Sequence, residues 1–385
     1  MKIKLVNSYF FSIPFNRRIS NLNINLSRHV ILKITDGRKE GLGEGVLYKS
    51  TTINAARFLK NEVLSYLEKN EFKNIKDAKN KINNKYAHKN SGVVCALDLA
   101  LWDLESKVTN KSIVELLGGK LKSTEITEEL FKDEFNKLNI NKINRNGTKR
   151  LKIKIGKELL KDFKYINLLK NYFNGHIRVD ANQIYTFKQY KLISSLLSKI
   201  GIWEFEEPVS KSDLSKLDHK ENIVLDESYE AISDLKKYLK IGFQIFNVKI
   251  AKAGGISGAL RFIKIIEKSN ARIILGSNEE LGIASFSMFS LANSIRNLHS
   301  IEGLGSERLG FDVIKNRIKI NGGKIIFPIN IEFSEKRLIL ASRKFNFKIL
   351  KDEKLSLDFL IFEIYQDILG KIKNLWIRIK IIFYE

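Results

Sequence analysis

Five short apolar runs between Leu151 and Gly255 each end in charge. Leu-Lys-Ile-Lys-Ile-Gly at 151–156 carries Lys152 and Lys154, and Ile-Arg-Val-Asp-Ala-Asn-Gln at 177–183 carries Asp180. Trp-Glu-Phe-Glu-Glu-Pro at 203–208 carries Glu206 and Glu207, and Ile-Val-Leu-Asp-Glu-Ser at 223–228 carries Asp226. Phe-Asn-Val-Lys-Ile-Ala-Lys-Ala-Gly-Gly at 246–255 carries Lys249 and Lys252. If these ends converge, the carboxylates repel unless an oxygen-seeking divalent cation neutralises them, most simply Mg²⁺, with Mn²⁺ as the alternative. Lysines beside such a cation are expected to have a depressed ammonium pKa and to serve as general bases. Such a set supports removal of the weakly acidic proton next to a carboxylate, with the cation stabilising the enediolate charge as it forms.

The spacing says how the charges could meet. Lys154, Asp180, Glu206, Asp226 and Lys249 follow one another at intervals of 26, 26, 20 and 23 residues, each about one strand, one helix and two loops. Helix-like stretches at 157–171, 187–200 and 232–239 fall between them. This alternation predicts a parallel sheet, and in a closed (β/α)8 barrel all C-terminal strand ends face one mouth. The first barrel strand is expected at 123–127, a polar helix at about 128–138 and a loop at 139–148. Residues 272–275 and 297–301 supply the seventh and eighth strands, the latter ending at Glu302.

An α+β module precedes the barrel. Residues 2–13 and 29–34 read as strands, with a turn signal at Asp36-Gly37. Gly41-Leu-Gly-Glu-Gly45 lacks the Gly-x-Gly-x-x-Gly spacing, and no helical pattern opens behind it, so it reads as a strand rather than a phosphate loop. Helical periodicity covers 55–66, 74–86 and 92–107. A hairpin about Asn321-Gly322-Gly323 is expected to return to this first module. Beyond Ile331, 357–369 is helix-like and 375–381 alternates like a strand; packing against the body is preferred to a dimer contact or surface anchor.

Length, with 44% hydrophobic and 29% charged residues, fits a soluble barrel plus a smaller domain. The single cysteine, Cys95, excludes an internal disulfide and reads as inert core. No signal-peptide pattern and no run of about 18 apolar residues occurs, so a cytoplasmic protein with no transmembrane segment is expected. The net charge of +24 raises nucleic acid or an anionic surface as partners. The basic residues are spread along the chain without zinc-finger spacing or RNA-binding aromatics, so no specific nucleic-acid partner is expected. The five histidines, 29, 88, 176, 219 and 299, lie outside the motifs with no pair at metal-ligand spacing, which disfavours zinc. His299, placed near the eighth strand end, is the one that could reach substrate, though a structural role is preferred.

Taken together, Lys-x-Lys at 152–154, Asp-Ala-Asn-Gln at 180–183, Glu-Glu-Pro at 206–208, Asp-Glu-Ser at 226–228 and Lys-x-x-Lys-Ala-Gly-Gly at 249–255 resemble the enolase superfamily. The resemblance is to its muconate-lactonizing subgroup of cycloisomerases, dipeptide epimerases and o-succinylbenzoate synthases, and it extends to 96–119. It implies an α/β fold, a (β/α)7β-type modified TIM barrel at 121–305. An α+β capping domain at 1–120 would be completed by about 306–330, with 331–385 as an extension of unknown role. The resemblance also implies Asp180, Glu206 and Asp226 as metal ligands, and Lys154 and Lys249 as opposing acid/base groups. Lys152 would lower the Lys154 pKa, and Lys252 would shape its loop. Asn182, Gln183, Glu302, Arg17 and Arg18 would face ligands or substrate, while Glu204, Glu207 and Glu227 lie nearby. Glu302-Gly-Leu304 keeps one acid of the Asp-x-Asp by which dipeptide epimerases grip an ammonium. The reading placed first is racemisation or epimerisation of an amino-acid or dipeptide derivative, a small-molecule carboxylate, by a homo-oligomer. The alternatives are a muconate-type cycloisomerase or o-succinylbenzoate synthase-like dehydratase, and, in another class, a non-catalytic basic protein binding nucleic acid or a membrane surface.

Overall fold

The structure, a computed structural model, describes residues 1–15, 26–87, 89–130, 137–156, 158–303, 305–316, 318–326 and 331–338. Arg17, Arg18, His88 and the patterned segments of the tail at 357–369 and 375–381 lie outside these residues. The chain opens with an antiparallel sheet of β1 (Lys4–Pro14), β2 (Leu26–Thr35) and β3 (Glu40–Val46), in that order. Asp36 makes the turn between β2 and β3 by accepting from the backbone N–H groups of Arg38 and Lys39, each at 2.9 Å, beside Gly37 at φ 94°.

The glycines of Gly41-Leu-Gly-Glu-Gly45 have a packing reason. They lie along one face of β3 against the helix Ser91–Thr109. A Cβ on Gly41, Gly43 or Gly45 would sit 2.1, 1.9 and 1.9 Å from the carbonyl oxygens of Ala100, Ala96 and Gly92 respectively. Two residues of a strand advance about 6.8 Å and four of a helix about 6 Å. A glycine at every second strand position therefore matches a small residue at every fourth helical one.

Eight parallel strands close the barrel: β4 (Ile126–Leu130), β5 (Arg150–Lys154), β6 (His176–Asp180), β7 (Glu204–Glu206), β8 (Ile223–Leu225), β9 (Ile245–Val248), β10 (Arg272–Leu275) and β11 (Leu298–Glu302). Each begins within three residues of its expected position, although the expected 246–255 run is strand only to Val248 and then turns into the helix Ile250–Ala253. The region after β4 differs from expectation. Glu128 to Leu130 extend the strand instead of opening a helix, and the expected loop at 139–148 is largely the helix Lys137–Arg145, which buries Ile140 and Ile143 on one face.

Two buried carboxylates of the first module cap barrel helices. Glu44 of β3 accepts from Leu281 and Ala284 N–H, at 2.7 and 3.0 Å, at the start of Gly282–Ala292. Asp98 accepts from Ser257 N–H at 2.9 Å at the start of Ile256–Lys268. Orphan N–H groups and the helix dipole are both satisfied this way. β12 (Lys319–Asn321) and β13 (Lys324–Ile326) form the expected hairpin about the Gly-Gly turn. It does not return to the β1–β3 sheet but docks at the start of β4, where Gly323 O accepts from Ile126 N–H and Thr124 O from Ile325 N–H. The chain meets the first module later, where Tyr9 Oη donates to Glu335 at 3.1 Å. Cys95 is fully buried, and among the described residues no helix is long and apolar enough to cross a membrane.

Gly43→Ala must push β3 off a helix backbone rather than displace a flexible side chain. It is expected to cost about 3 kcal/mol in a denaturant melt, whereas Gly37→Ala strains only an exposed turn and is expected to cost about 1 kcal/mol.

Candidate active site

At the C-terminal barrel mouth the charged strand ends do converge. Lys154 Nζ donates to Asp180 Oδ2 at 2.5 Å and to Asn182 Oδ1 at 2.8 Å. Asp226 takes two ammonium groups, Lys249 on Oδ2 and Lys252 on Oδ1, both at 2.5 Å. Lys252, expected only to shape its loop, is therefore part of the cluster. Lys152 lies at the centre, its Nζ 3.0 Å from Glu302 Oε1 and 3.7 Å from carboxylate oxygens of Glu129, Asp180 and Glu206.

The carboxylates are placed by backbone as much as by side chains. Glu207 turns away from the mouth and accepts from Asp226 N–H at 2.7 Å and Ser228 N–H at 2.8 Å, which fixes the β8 end. Gln183 binds it from the neighbouring loop at 3.0 Å. Asn182, Gln183 and Glu207 take φ of 44°, 62° and 42°, left-handed values that non-glycine residues hold only when their surroundings insist. Asn182 also donates to Glu227 at 2.7 Å, linking the β6 and β8 loops.

Depressed lysines are expected beside a divalent cation; the carboxylates by themselves act in the opposite direction. Burial alone would lower the Lys152 ammonium, but Glu206, Glu302, Glu129 and Asp180 hold it well above its ordinary value. Burial also opposes charge on Lys249 and Lys154, yet Asp226 and Asp180 raise them; the Lys152 charge pulls Lys154 down only in part. The lysines themselves neutralise the acids here, and the carboxylates hold Lys152, Lys154 and Lys249 charged. Asp226 is kept far below the usual carboxylate range despite its burial, by Lys249 and Lys252. Burial drives Glu206 up to about 8, against Lys152 and Arg178.

Several groups escaped the sequence reading. Arg178, 1% exposed inside the barrel, places Nε 3.0 Å from Glu206 Oε2 and pairs with Glu302. It stands two residues before Asp180, so strand alternation put it on the same face. Glu302, expected to face substrate, lines the mouth cavity and also pairs with Lys152, Arg178 and Asn247. Glu129 pairs with Arg308, which also reaches Glu279 at 2.6 Å. Glu129 was hidden by being assigned to a helix. His299 does not approach the mouth: it stands at the start of β11 with Nε2 2.7 Å from Glu204, because strand direction puts residues 176, 204 and 299 at the opposite end.

Asp180, Glu206 and Asp226 offer only oxygen donors and already lie against the cationic groups of Lys154, Arg178 and Lys249. Such a set fits a hard divalent cation, with the lysine ammoniums occupying its electrostatic place. A cavity of about 780 Å³ opens above them. Lys152, Lys154 and Lys249 line its floor, and Phe15, Leu47 and Tyr48 of the first module contribute to its wall.

Residues 138–330 match the family described as enolase C-terminal domain-like, and residues 10–118 match the mandelate racemase/muconate lactonizing enzyme N-terminal domain. An L-Ala-D/L-amino acid epimerase of a Maribacter species is 25% identical over 340 residues, covering 85% of this chain and 97% of its own. An L-Ala-D/L-Glu epimerase of Francisella tularensis subsp. novicida is 29% identical over 63% of this chain and 71% of its own. An o-succinylbenzoate synthase of Listeria innocua is 24% identical over 61% and 65%. In fold, a muconate lactonizing enzyme from Pseudomonas putida superposes with a TM-score of 0.79 at 22% identity, covering 88% of this chain and 99% of that one.

Removing Arg178 leaves Glu206 and Glu302 facing each other without their guanidinium. Arg178→Met is expected to destabilise the fold by about 3–5 kcal/mol, read as a lowered denaturation midpoint.

Proposed function

The chain belongs to the mandelate racemase/muconate lactonizing enzyme family of the enolase superfamily, enzymes that abstract a proton next to a carboxylate, and on that premise we propose that it racemises or epimerises an amino-acid or dipeptide derivative. One observation carries the reading. In the closed strand order, β5 with Lys154 and β9 with Lys249 are four strands apart in either direction, hence diametrically opposed. Both lysines line the same cavity, and Asp180, Glu206 and Asp226 occupy the arc of β6, β7 and β8 between them. A substrate whose carboxylate points to that arc presents its α-carbon between two amines.

Asp180, Glu206 and Asp226 are the residues that would hold Mg²⁺ or Mn²⁺, which when bound supplies positive charge to the substrate carboxylate and to the charge that develops on it. Lys154 and Lys249 must each leave an aspartate before their Nζ can accept a proton. Whichever amine is neutral takes the α-proton from its side; the other, still protonated, returns one from the opposite side, which inverts the centre. Lys152 keeps its charge beside Lys154 and favours the neutral form of that amine. Asn182, bonded to both Lys154 and Glu227, holds the lysine in place at the cavity wall. Cap residues over the cavity exclude water from the exposed carbanion-like state.

A second reading, cycloisomerisation or dehydration, shares the first proton transfer. It is favoured by Glu302, whose commitment to Lys152 and Arg178 spends the β11 carboxylate that would grip a substrate ammonium.

The test is α-proton exchange in D₂O with Mg²⁺ and a pooled set of dipeptides, N-acylamino acids, amino acids and hydroxy acids. Wild type is expected to incorporate deuterium into one class and to stop when a chelator removes the metal. Lys154→Ala and Lys249→Ala are each expected to lose about 10³-fold in epimerisation. Asp226→Asn is expected to bind Mg²⁺ at least about tenfold more weakly. Exchange indifferent to both lysines would overturn the proposal, and elimination of a β-substituent without epimerisation would select the second reading.

A further inference from the structure

At the N-terminal end of the barrel, three strands that the mouth chemistry does not use bring together two imidazoles and a carboxylate. His176 opens β6, Glu204 opens β7, and His299 is the second residue of β11. Glu204 stands between the rings. Its Oε1 is 3.3 Å from His176 Nε2, and its Oε2 is 2.7 Å from His299 Nε2. One ligand atom from each of the three residues lies within 4.8 Å of the others. Among the described residues this is the group of histidine and carboxylate ligands drawn that closely together.

We propose that His176, Glu204 and His299 form a separate metal site for a borderline divalent transition-metal ion such as Zn²⁺, distinct in place and chemistry from the carboxylates at the barrel mouth. Four residues of strand separate His176 from Asp180, so the two sites lie roughly 13 Å apart. Ligand atoms about 2.0–2.1 Å from a tetrahedral Zn²⁺ are about 3.3 Å from one another; here the imidazole nitrogens stand 3.3 and 2.7 Å from separate oxygens of Glu204, and the three ligand atoms lie within 4.8 Å of one another. Two nitrogens and one oxygen select against Mg²⁺, which the mouth's oxygen set suits. Three protein ligands leave a fourth position open, and the His176 side chain, 41% exposed, gives access to it, while those of Glu204 and His299 are 7% and 11% exposed.

The surroundings favour deprotonated ligands. Burial lowers the His299 pKa and Arg150 and Arg272 lower it further, against Glu204, so a neutral imidazole is available. The opposing charges are Arg178, with Nη1 4.0 Å from Glu204 Oε1, and the two more distant arginines. Arg178 is already neutralised by Glu206 and Glu302, Arg150 lies 3.9 Å from Glu125, and Arg272 donates to Glu221 O. In the closed order β11 is separated from β6 by β4 and β5, so an ion here would tie the floor of the barrel across its interior.

The full-length protein, stripped of metal and resupplied with excess Mg²⁺ to fill the mouth, is titrated with Co²⁺ and Zn²⁺ by calorimetry and, for Co²⁺, by visible d–d absorption. The expected result is one equivalent bound at micromolar concentration or tighter, with the spectrum of a nitrogen-containing site and a raised Tm. His176→Ala, on a side chain 41% exposed, and His299→Ala are each expected to weaken this by at least ~100-fold, while Asp226→Asn leaves it unchanged. No equivalent at micromolar metal, equal binding by His176→Ala, or loss in Asp226→Asn instead would each overturn the proposal. None of these readouts depends on catalysis, so failure here leaves the mouth chemistry separately testable.

Discussion

Closing eight strands into a ring forces charge into a small, dry interior, and the structure depends on neutralising it there. Arg178, Glu206 and Asp180 are at most 1% exposed, and Lys152 and Glu302 5%. An unpaired ion at such depth costs several kcal/mol, so no member of the set is tolerable alone. Lys152 and Arg178 solve this by sharing Glu206 and Glu302 between them. The lysines at the rim do the same for Asp180 and Asp226. A site built this way can exchange one cation for another at little electrostatic cost.

The first module is joined to this ring by contacts that fix its height and angle. Glu44 and Asp98 each spend a buried carboxylate on the N-terminus of a barrel helix, and Trp102 donates to Ser257 at 2.9 Å beside the second of these. The Asp98 carboxyl is pushed up to about 6 by burial, with Ser257 and Asn83 restraining it. The glycine face of β3 brings its sheet within backbone contact of the helix that carries Asp98. Leu47 and Tyr48, just past the end of β3, are thereby set over the cavity. Packing at the strand–helix face thus decides the shape of the space a substrate would enter.

The two ends of the barrel hold contrasting donor sets that share strands β6 and β7. On β7 alone, Glu206 faces the mouth and Glu204 the floor, both on the inward side because they are two residues apart. Arg178 lies between them, close to both. Oxygen donors gather at one end and nitrogen-containing donors at the other.

The sequence determined a good deal. Charged residues ending apolar runs at intervals of 20 to 26 set five of the strands, their parallel direction and the ends carrying the lysines and acids, because side-chain chemistry and element length are both local properties. It could not assign residues whose partners come from distant strands. Glu129 looked helical because its local composition is polar, and its strand pairing with β5 decided otherwise. Arg178 and Glu302 read as unrelated residues 124 positions apart, yet they form one ion pair. His176, Glu204 and His299 show no ligand spacing along the chain and meet only when the ring closes. The lysine charges likewise followed from which carboxylate each ammonium finally touched. Local pattern supplies the groups and the end of the strand they occupy; closure of the barrel supplies their neighbours, and neighbours at 2.5 to 4 Å set charge and coordination.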